Sequence, residues 1–184
     1  MVMAAPTTPR SPRPPRLASR ELRRRAAAIR VVLTDNDGVL TDTGVYYSER
    51  GEELRRFSLR DGMGVELLRA AGVETAFLSR EDSGIVRARA KKLAVKTFLG
   101  VRDKLALLPE ILAQSGLTPA EIAFIGDDVN DLPLLCEIAE HGLTGAPADA
   151  LDAVRRSVHA VSESVGGHGA FRDFADAILR WRGG

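Results

Sequence analysis

The sequence predicts a doubly wound α/β domain, a parallel sheet covered by helices on both faces. Three observations carry that expectation. Short, continuously apolar runs rich in Val, Ile, Thr and Phe recur at "IRVVLTD", "VETAFLS", "VKTFLG", "EIAFIGD" and "HGLTGAP". Segments of helical pattern separate them, at "GMGVELLRAAG", "SGIVRARAKKL", "KLALLPEILAQSG" and "DLPLLCEIAEHG". Apolar strands without polar alternation are buried on both faces, which a parallel sheet with crossover helices provides. The third observation is that two of these runs end abruptly in paired carboxylates, where doubly wound sheets open into a ligand crevice. A chain of 184 residues that is 45% hydrophobic and 28% charged has enough material for one domain with a sizeable core.

Taken in order, the chain begins with "MVMAAPTTPRSPRPPRLASR", rich in Pro, Arg, Ser and Thr, and residues 1–29 are expected to be a disordered basic arm before a domain over residues 30–182. The first thirty residues hold eight arginines against Glu21 alone, so the remainder is acidic, with 18 basic against 24 acidic side chains. An acidic body argues against nucleic-acid binding. The arm has no apolar stretch long enough for a signal-peptide core or a membrane span, so no membrane partner is expected. After the first strand, "TGVYYSERGEELRRFS" carries two β-like runs, at residues 45–47 and 54–57, about a polar "SERGEE" turn. It reads as a β-hairpin flap over the carboxyl edge of the sheet, too short for a separate cap domain. "LTPAEIAF" offers Thr118 as N-cap, Pro119 at the first helical position and Glu121 at the capping-box position, a very short helix feeding straight into a strand. The lone Cys136, in "LPLLCEIA", permits no intrachain disulfide and reads as a buried structural thiol in a cytoplasmic protein. The chain closes with a glycine-rich loop and a final amphipathic helix, "VGGHGAFRDFADAILRWR".

The candidate site lies where these strands end. Asp35 and Asp37 close the first strand in "VVLTDNDGVLTD", with Gly38 where the chain turns tightly, and Asp127 and Asp128 close a later strand in "FIGDDVND". Carboxylates gathered in one crevice repel each other, and a divalent cation relieves the repulsion; ligation by oxygen alone points to Mg²⁺. The competing account is that each pair caps the helix after its strand, although a cap needs one carboxylate. Ser79, at the end of "VETAFLS", and Lys104, in "GVRDKLALL", each lie just beyond a predicted strand, where a hydroxyl and an ammonium can hold phosphate oxygens. Singly, a serine there is a cap and a lysine there is solvated.

The order "DNDGVLTD", Ser79, Lys104, "GDDVND" resembles the four motifs of the haloacid dehalogenase superfamily of phosphatases, over residues 30–182. The hairpin, "RDGMG" and the tail "GGHGAFRD" make it similar to the capless subgroup that contains 3-deoxy-D-manno-octulosonate 8-phosphate phosphatase. The resemblance implies a HAD-like Rossmannoid fold and a magnesium-dependent phosphomonoesterase acting on a phosphorylated sugar acid. It makes Asp35 the nucleophile that forms an aspartyl-phosphate, and Asp37 the acid/base that protonates the leaving alkoxide and then activates water. It gives the metal the carboxylates of Asp35 and Asp127 and the backbone carbonyl of Asp37, with Asp128 in support.

One motif departs from the pattern. Octulosonate phosphatases carry Thr-Gly-Arg where this chain has "SRE", so Arg80 stands in place of glycine and Glu81 in place of arginine. The acidic residue is similar to phosphatases of nine-carbon 2-keto-3-deoxy sugar acid 9-phosphates and to the phosphatase-like domain attached to some sialic acid cytidylyltransferases. Glu81, Arg89 and Lys92 then become candidate substrate contacts, the glutamate accepting from sugar hydroxyls and a cation pairing with the sugar-acid carboxylate. Without the resemblance, "RARAKK" is a solvated helix face. Capless members assemble as tetramers in which the hairpin and a neighbour's glycine-rich tail close the site. The homotetramer expected here gives His168 a place either against substrate or on a flexible loop. A catalytically reduced assembly domain, or a phosphatase for another small sugar phosphate or nucleotide, are the competing readings.

Overall fold

The computed structural model describes residues 17–183. In chain order the elements are α1 (Ser19–Ala28), β1 (Val31–Thr34), β2 (Val45–Ser48), β3 (Gly51–Arg55), α2 (Leu59–Ala70), β4 (Glu74–Leu78), α3 (Gly84–Leu93), β5 (Lys96–Phe98) and α4 (Lys104–Ser115). A 3-10 turn (Pro119–Glu121) follows, then β6 (Ile122–Ile125), α5 (Leu132–His141), β7 (Leu143–Ala146), α6 (Asp152–Arg155), β8 (Ala160–Val161) and α7 (Ala170–Gly183). Six strands form one sheet in the order β5-β4-β1-β6-β7-β8, every neighbouring pair parallel. The chain builds outward from β1 to β5 and then returns to the other side of β1 with β6. The reversal of direction therefore falls between β1 and β6, where a crevice opens beyond the strand ends.

Alternation along the strands divides the core in two. Val32, Phe77, Ala123 and Ile125 point to the face covered by α1, α2, α3 and α7, among Leu68, Val86, Phe171, Phe174 and Ile178. Leu33, Ala76, Leu78, Ile122 and Phe124 point to the opposite face, against Leu108 and Ile111 of α4, Leu134, Leu135 and Ile138 of α5, and Val154 of α6. The central strands carry apolar residues on both faces because each serves two layers. Burying each such Leu, Ile or Phe contributes about 1.5–3 kcal/mol, so the central strands are the least able to open.

The expected elements are present, the five apolar runs as β1, β4, β5, β6 and β7. The Thr118 capping box closes the 3-10 turn, which runs straight into β6 as anticipated. Three features differ. The domain begins before residue 30, because α1 folds within the stretch expected to be disordered. Leu22 and Ala26 pack on the core, and Arg25, read as part of a solvated basic run, donates to the carbonyl oxygens of Ala139, Gly142 and Glu140 at 2.8, 3.0 and 3.0 Å. Those carbonyls terminate α5 and have no intrahelical partner, so a guanidinium satisfies them. The rest of the basic arm, residues 1–16, lies outside the described residues. The edge strand β8 and the single-turn α6 are additions, too short for a periodic signal. Cys136 is half-buried rather than fully enclosed.

The hairpin of β2 and β3 is antiparallel with a bulge between Tyr46 and Tyr47. Its second strand begins at Gly51, inside the polar stretch expected to be turn, and Tyr46, Tyr47 and Leu54 stand exposed on it. The glycine-rich segment after β8 is not a free tail. The amide of Gly167 donates to Val39 O at 2.9 Å, and a Cβ at Gly167, whose φ is +68°, would lie 2.6 Å from the Thr41 carbonyl carbon. The segment thus braces the loop that leaves β1 before continuing into α7.

Candidate active site

The floor of the crevice is assembled from three strand ends. Asp35 continues the β1/β6 ladder by donating its amide to Ile125 O at 3.0 Å, which fixes its backbone before the chain turns. Its Oδ1 accepts from the Asn36 amide at 2.6 Å, and its Oδ2 lies 2.6 Å from Lys104 Nζ. Lys104 opens α4, whose start is set by Asp103 accepting from the Ala106 amide at 3.0 Å. Its ammonium, fully buried, sits between Asp35 and Asp131, again 2.6 Å away. Asp131 in turn accepts from the amides of Asp127 at 2.9 Å and Asp128 at 3.3 Å. One buried carboxylate thereby orders the loop after β6 and anchors the lysine.

Asp127 faces Asp35 across the switch point. Gly38 makes the approach feasible, since with φ +82° a Cβ there would stand 1.9 Å from Asp127 Oδ2. Oxygens of Asp35, Asp127 and Asp131 lie within 4.8 Å of one another, and Asp127 Oδ1 is buried with no hydrogen-bond partner. Burial pushes the Asp127 carboxyl up to about 7, with Asp131 and Asp128 adding to the effect. Asp35 is also held well above the usual carboxylate range, by burial and then by Asp131, against the pull of Lys104. Lys104 itself stays above its ordinary value because Asp35 and Asp131 together outweigh its burial. An orphaned buried oxygen among mutually repelling carboxylates fits a divalent cation, and the donors are all hard oxygens.

The remaining predicted residues sort by distance from this floor. Asp35, Asp37, Ser79, Glu81, Asp127 and Asp128 line one crevice of about 240 Å³ together with Thr43, Arg80 and Asn130. Asp37 Oδ1 accepts from Asn36 Nδ2 at 3.0 Å, from Thr41 Oγ1 at 3.3 Å and from Arg55. Its Oδ2 has no protein partner among the described residues, so one oxygen fixes the carboxylate and the other faces the crevice. Ser79 Oγ accepts from the Glu81 amide at 3.1 Å, leaving its proton to donate. Glu81 is exposed at the rim. Arg89 is not brought to the crevice: it donates to Ser58 O at 3.0 Å and its guanidinium lies 5.7 Å from the Phe57 ring centroid. Lys92 is exposed on α3 and His168 is exposed on the glycine-rich loop, its Nδ1 2.9 Å from Gly166 O.

Two site residues escaped the sequence reading. Asp131 stands in the quoted "GDDVND", yet its role depends on Lys104, 27 residues earlier. Arg55 is delivered by β3: its guanidinium reaches Asp37 while Nε and Nη2 fork onto Glu52 at 2.8 Å each, and Glu52 accepts from Ser83 Oγ at 2.9 Å. The hairpin is therefore latched to both Asp37 and the N-cap of α3. A conspicuous basic residue two positions before Phe57 was the available signal.

No family model matches the chain. It is 41% identical over 156 residues to the 3-deoxy-D-manno-octulosonate 8-phosphate phosphatase KdsC of Haemophilus influenzae, covering 84% of this chain and 85% of that protein. The chain belongs to the KdsC family of haloacid dehalogenase phosphatases. The cobalt-bound structure of the Haemophilus influenzae enzyme superposes with a TM-score of 0.81 at 39% identity, covering 86% of this chain and 92% of that one. The 3-deoxy-D-manno-octulosonate 8-phosphate phosphatase of Moraxella catarrhalis, solved with magnesium, phosphate and a KDO molecule, superposes with a TM-score of 0.82 at 29% identity, covering 89% of this chain and 92% of that one. In this KdsC-family chain the acidic cluster between β1 and β6 fits a metal site, and the fold is that of a family of hydrolases.

Proposed function

We propose that this protein is a magnesium-dependent phosphatase that removes the terminal phosphate of a 2-keto-3-deoxy sugar acid. The observation that carries the reading is the buried Asp35 carboxylate, held between Lys104 and Asp127 at the floor of a crevice that Asp37 also enters. Asp35 Oδ attacks phosphorus in line with the ester oxygen, the ester P–O bond breaks, and Asp37 supplies the proton that the departing alkoxide takes. The same Asp37 then accepts a proton from water as that water attacks the aspartyl-phosphate, which returns Asp35 to a carboxylate and releases inorganic phosphate. Lys104 and the Ser79 hydroxyl hold the phosphoryl oxygens while charge builds on them. Asp35, Asp127 and the Asp37 carbonyl would hold Mg²⁺, which offsets the repulsion between the nucleophile and the phosphate dianion.

The relatives' names support an eight-carbon 8-phosphate as substrate. Glu81 at the rim supports a nine-carbon 9-phosphate, whose extra hydroxyl gives the carboxylate a donor. A homotetramer is part of this reading, supported by the exposed Tyr46, Tyr47 and Leu54 on the hairpin and by the outward His168, which would meet a neighbouring copy's substrate. The reading also places the enzyme in the cytoplasm; no helix among the described residues is long and apolar enough to cross a membrane.

A phosphate-release screen over sugar-acid phosphates of both lengths, sugar phosphates and nucleotides, each with Mg²⁺ and with excess EDTA, tests it. The expected result is preference for a sugar acid and silence in EDTA. Preference for a nucleotide, or full activity in EDTA, overturns it. Sedimentation equilibrium checks the assembly, and a fully active monomer would remove the tetramer.

A further inference from the structure

We propose that Arg80 is the specificity residue that reads the carboxylate of the sugar acid; this rests on the sugar-acid reading above. Arg80 is the one cationic side chain lining the crevice among the described residues, and the two cations paired with the crevice's aspartates from behind are already committed. Lys104 is buried between Asp35 and Asp131. Arg55 is forked onto Glu52 and paired with Asp37, its side chain 4% exposed. Arg80 lines the same crevice, is exposed, and takes no charged partner among the described residues. Its neighbour Glu81 offers none, although the two are adjacent in sequence at the rim.

The charge is arranged by depth. The floor holds Asp35, Lys104 and Asp127, the groups suited to a phosphoryl centre, and the rim carries Arg80. A sugar acid phosphate has an anion at each end of its carbon chain, so its phosphate at the floor sends its carboxylate outward. A planar guanidinium matches a carboxylate with two parallel hydrogen bonds, which a lysine cannot do. The other cations proposed from sequence for this duty do not line the crevice, since Arg89 is spent on Ser58 and Phe57 and Lys92 faces solvent on α3. Arg80 also starts from the residue after Ser79, so one short segment would hold both ends of the substrate: the Ser79 hydroxyl at the phosphate and the Arg80 fork at the carboxylate.

The test compares wild type, Arg80→Gln and Arg80→Lys on octulosonate 8-phosphate, on the same compound with its carboxylate reduced to an alcohol, and on p-nitrophenyl phosphate. A lost charge-assisted bidentate contact is expected to raise KM for the sugar acid about ten- to hundredfold in Arg80→Gln, with kcat changed far less. Arg80→Lys should recover part of that loss. The ratio of kcat/KM between the acid and its reduced analogue should collapse in Arg80→Gln. Equal losses on all three substrates, or an undiminished ratio, overturn the proposal. A wild-type enzyme that fails to prefer the acid over its reduced analogue instead overturns the sugar-acid reading itself, so the two failures are distinguishable.

Discussion

Asp131 shows how much one side chain can organise. It accepts from two loop amides and anchors a fully buried ammonium, so Asp131→Ala strands a charge and two donors at once. Breaking a buried pair of this kind costs about 3–5 kcal/mol, and urea unfolding of the variant beside wild type should show a loss of that order with phosphate release down more than tenfold. Wild-type stability in the variant would reduce Asp131 to a bystander. Asp35→Asn is expected to behave differently, keeping the fold while losing phosphate release, because the isosteric amide keeps one oxygen to accept from Lys104 but cannot act as the nucleophile. Circular dichroism beside a phosphate assay separates the two cases. Asp35, Asp37, Ser79, Lys104 and Asp127 were legible in sequence because each sits at a strand end or helix start in a fixed order. Asp131 and Arg55 were not, because their meaning lies in partners brought close only by folding: Lys104 for one, Asp37 and Glu52 for the other.

At the level of elements, the hairpin is the piece most separable from the body. Its two strands pair only with each other, and the contacts that tie it down converge on Arg55 and Glu52. Arg55→Ala should therefore raise amide hydrogen exchange across residues 45–55 by about tenfold or more while the six-stranded sheet keeps its protection. Uniform exchange across both sheets would mean that the flap opens only with the whole domain. The five strongly apolar strands and the hairpin were legible because period and composition report burial directly. The helix α1 was not, since Arg25 in an arginine run looks solvated until the carbonyls ending α5 are seen to receive it. The strand β8 was not either: two residues carry no period, and Ala160 and Val161 become a strand only through β7 alongside.

On the scale of the whole molecule, stability should depend on pH through His159, which joins β7 to β8. Its Nδ1 accepts from the Thr144 amide at 3.1 Å, and Nε2 is buried without a partner. Burial, assisted by Arg25, lowers this imidazole from 6.5 to about 4. The unfolded chain then binds a proton between those values that the folded chain refuses, so the contribution is complete above about 6.5 and is lost as pH falls toward 4. Allowing for solvent screening at this half-buried ring, the loss is about 1–2 kcal/mol. Urea unfolding of wild type and His159→Gln from pH 7 to pH 4 checks it, the difference between the two curves shrinking as pH falls; parallel curves would exclude His159 as the source. The bracing of the β1 loop by Gly166 and Gly167 bears on synthesis as well. A ribosome delivers Asp35 first and its brace more than 120 residues later, followed by α7. Domains fold as units during synthesis, so the nascent chain carries Asp35 long before it can support it. The loop that carries Asp35 therefore gains its support only once the segment after β8 has been made, and the crevice is completed late in the order of synthesis.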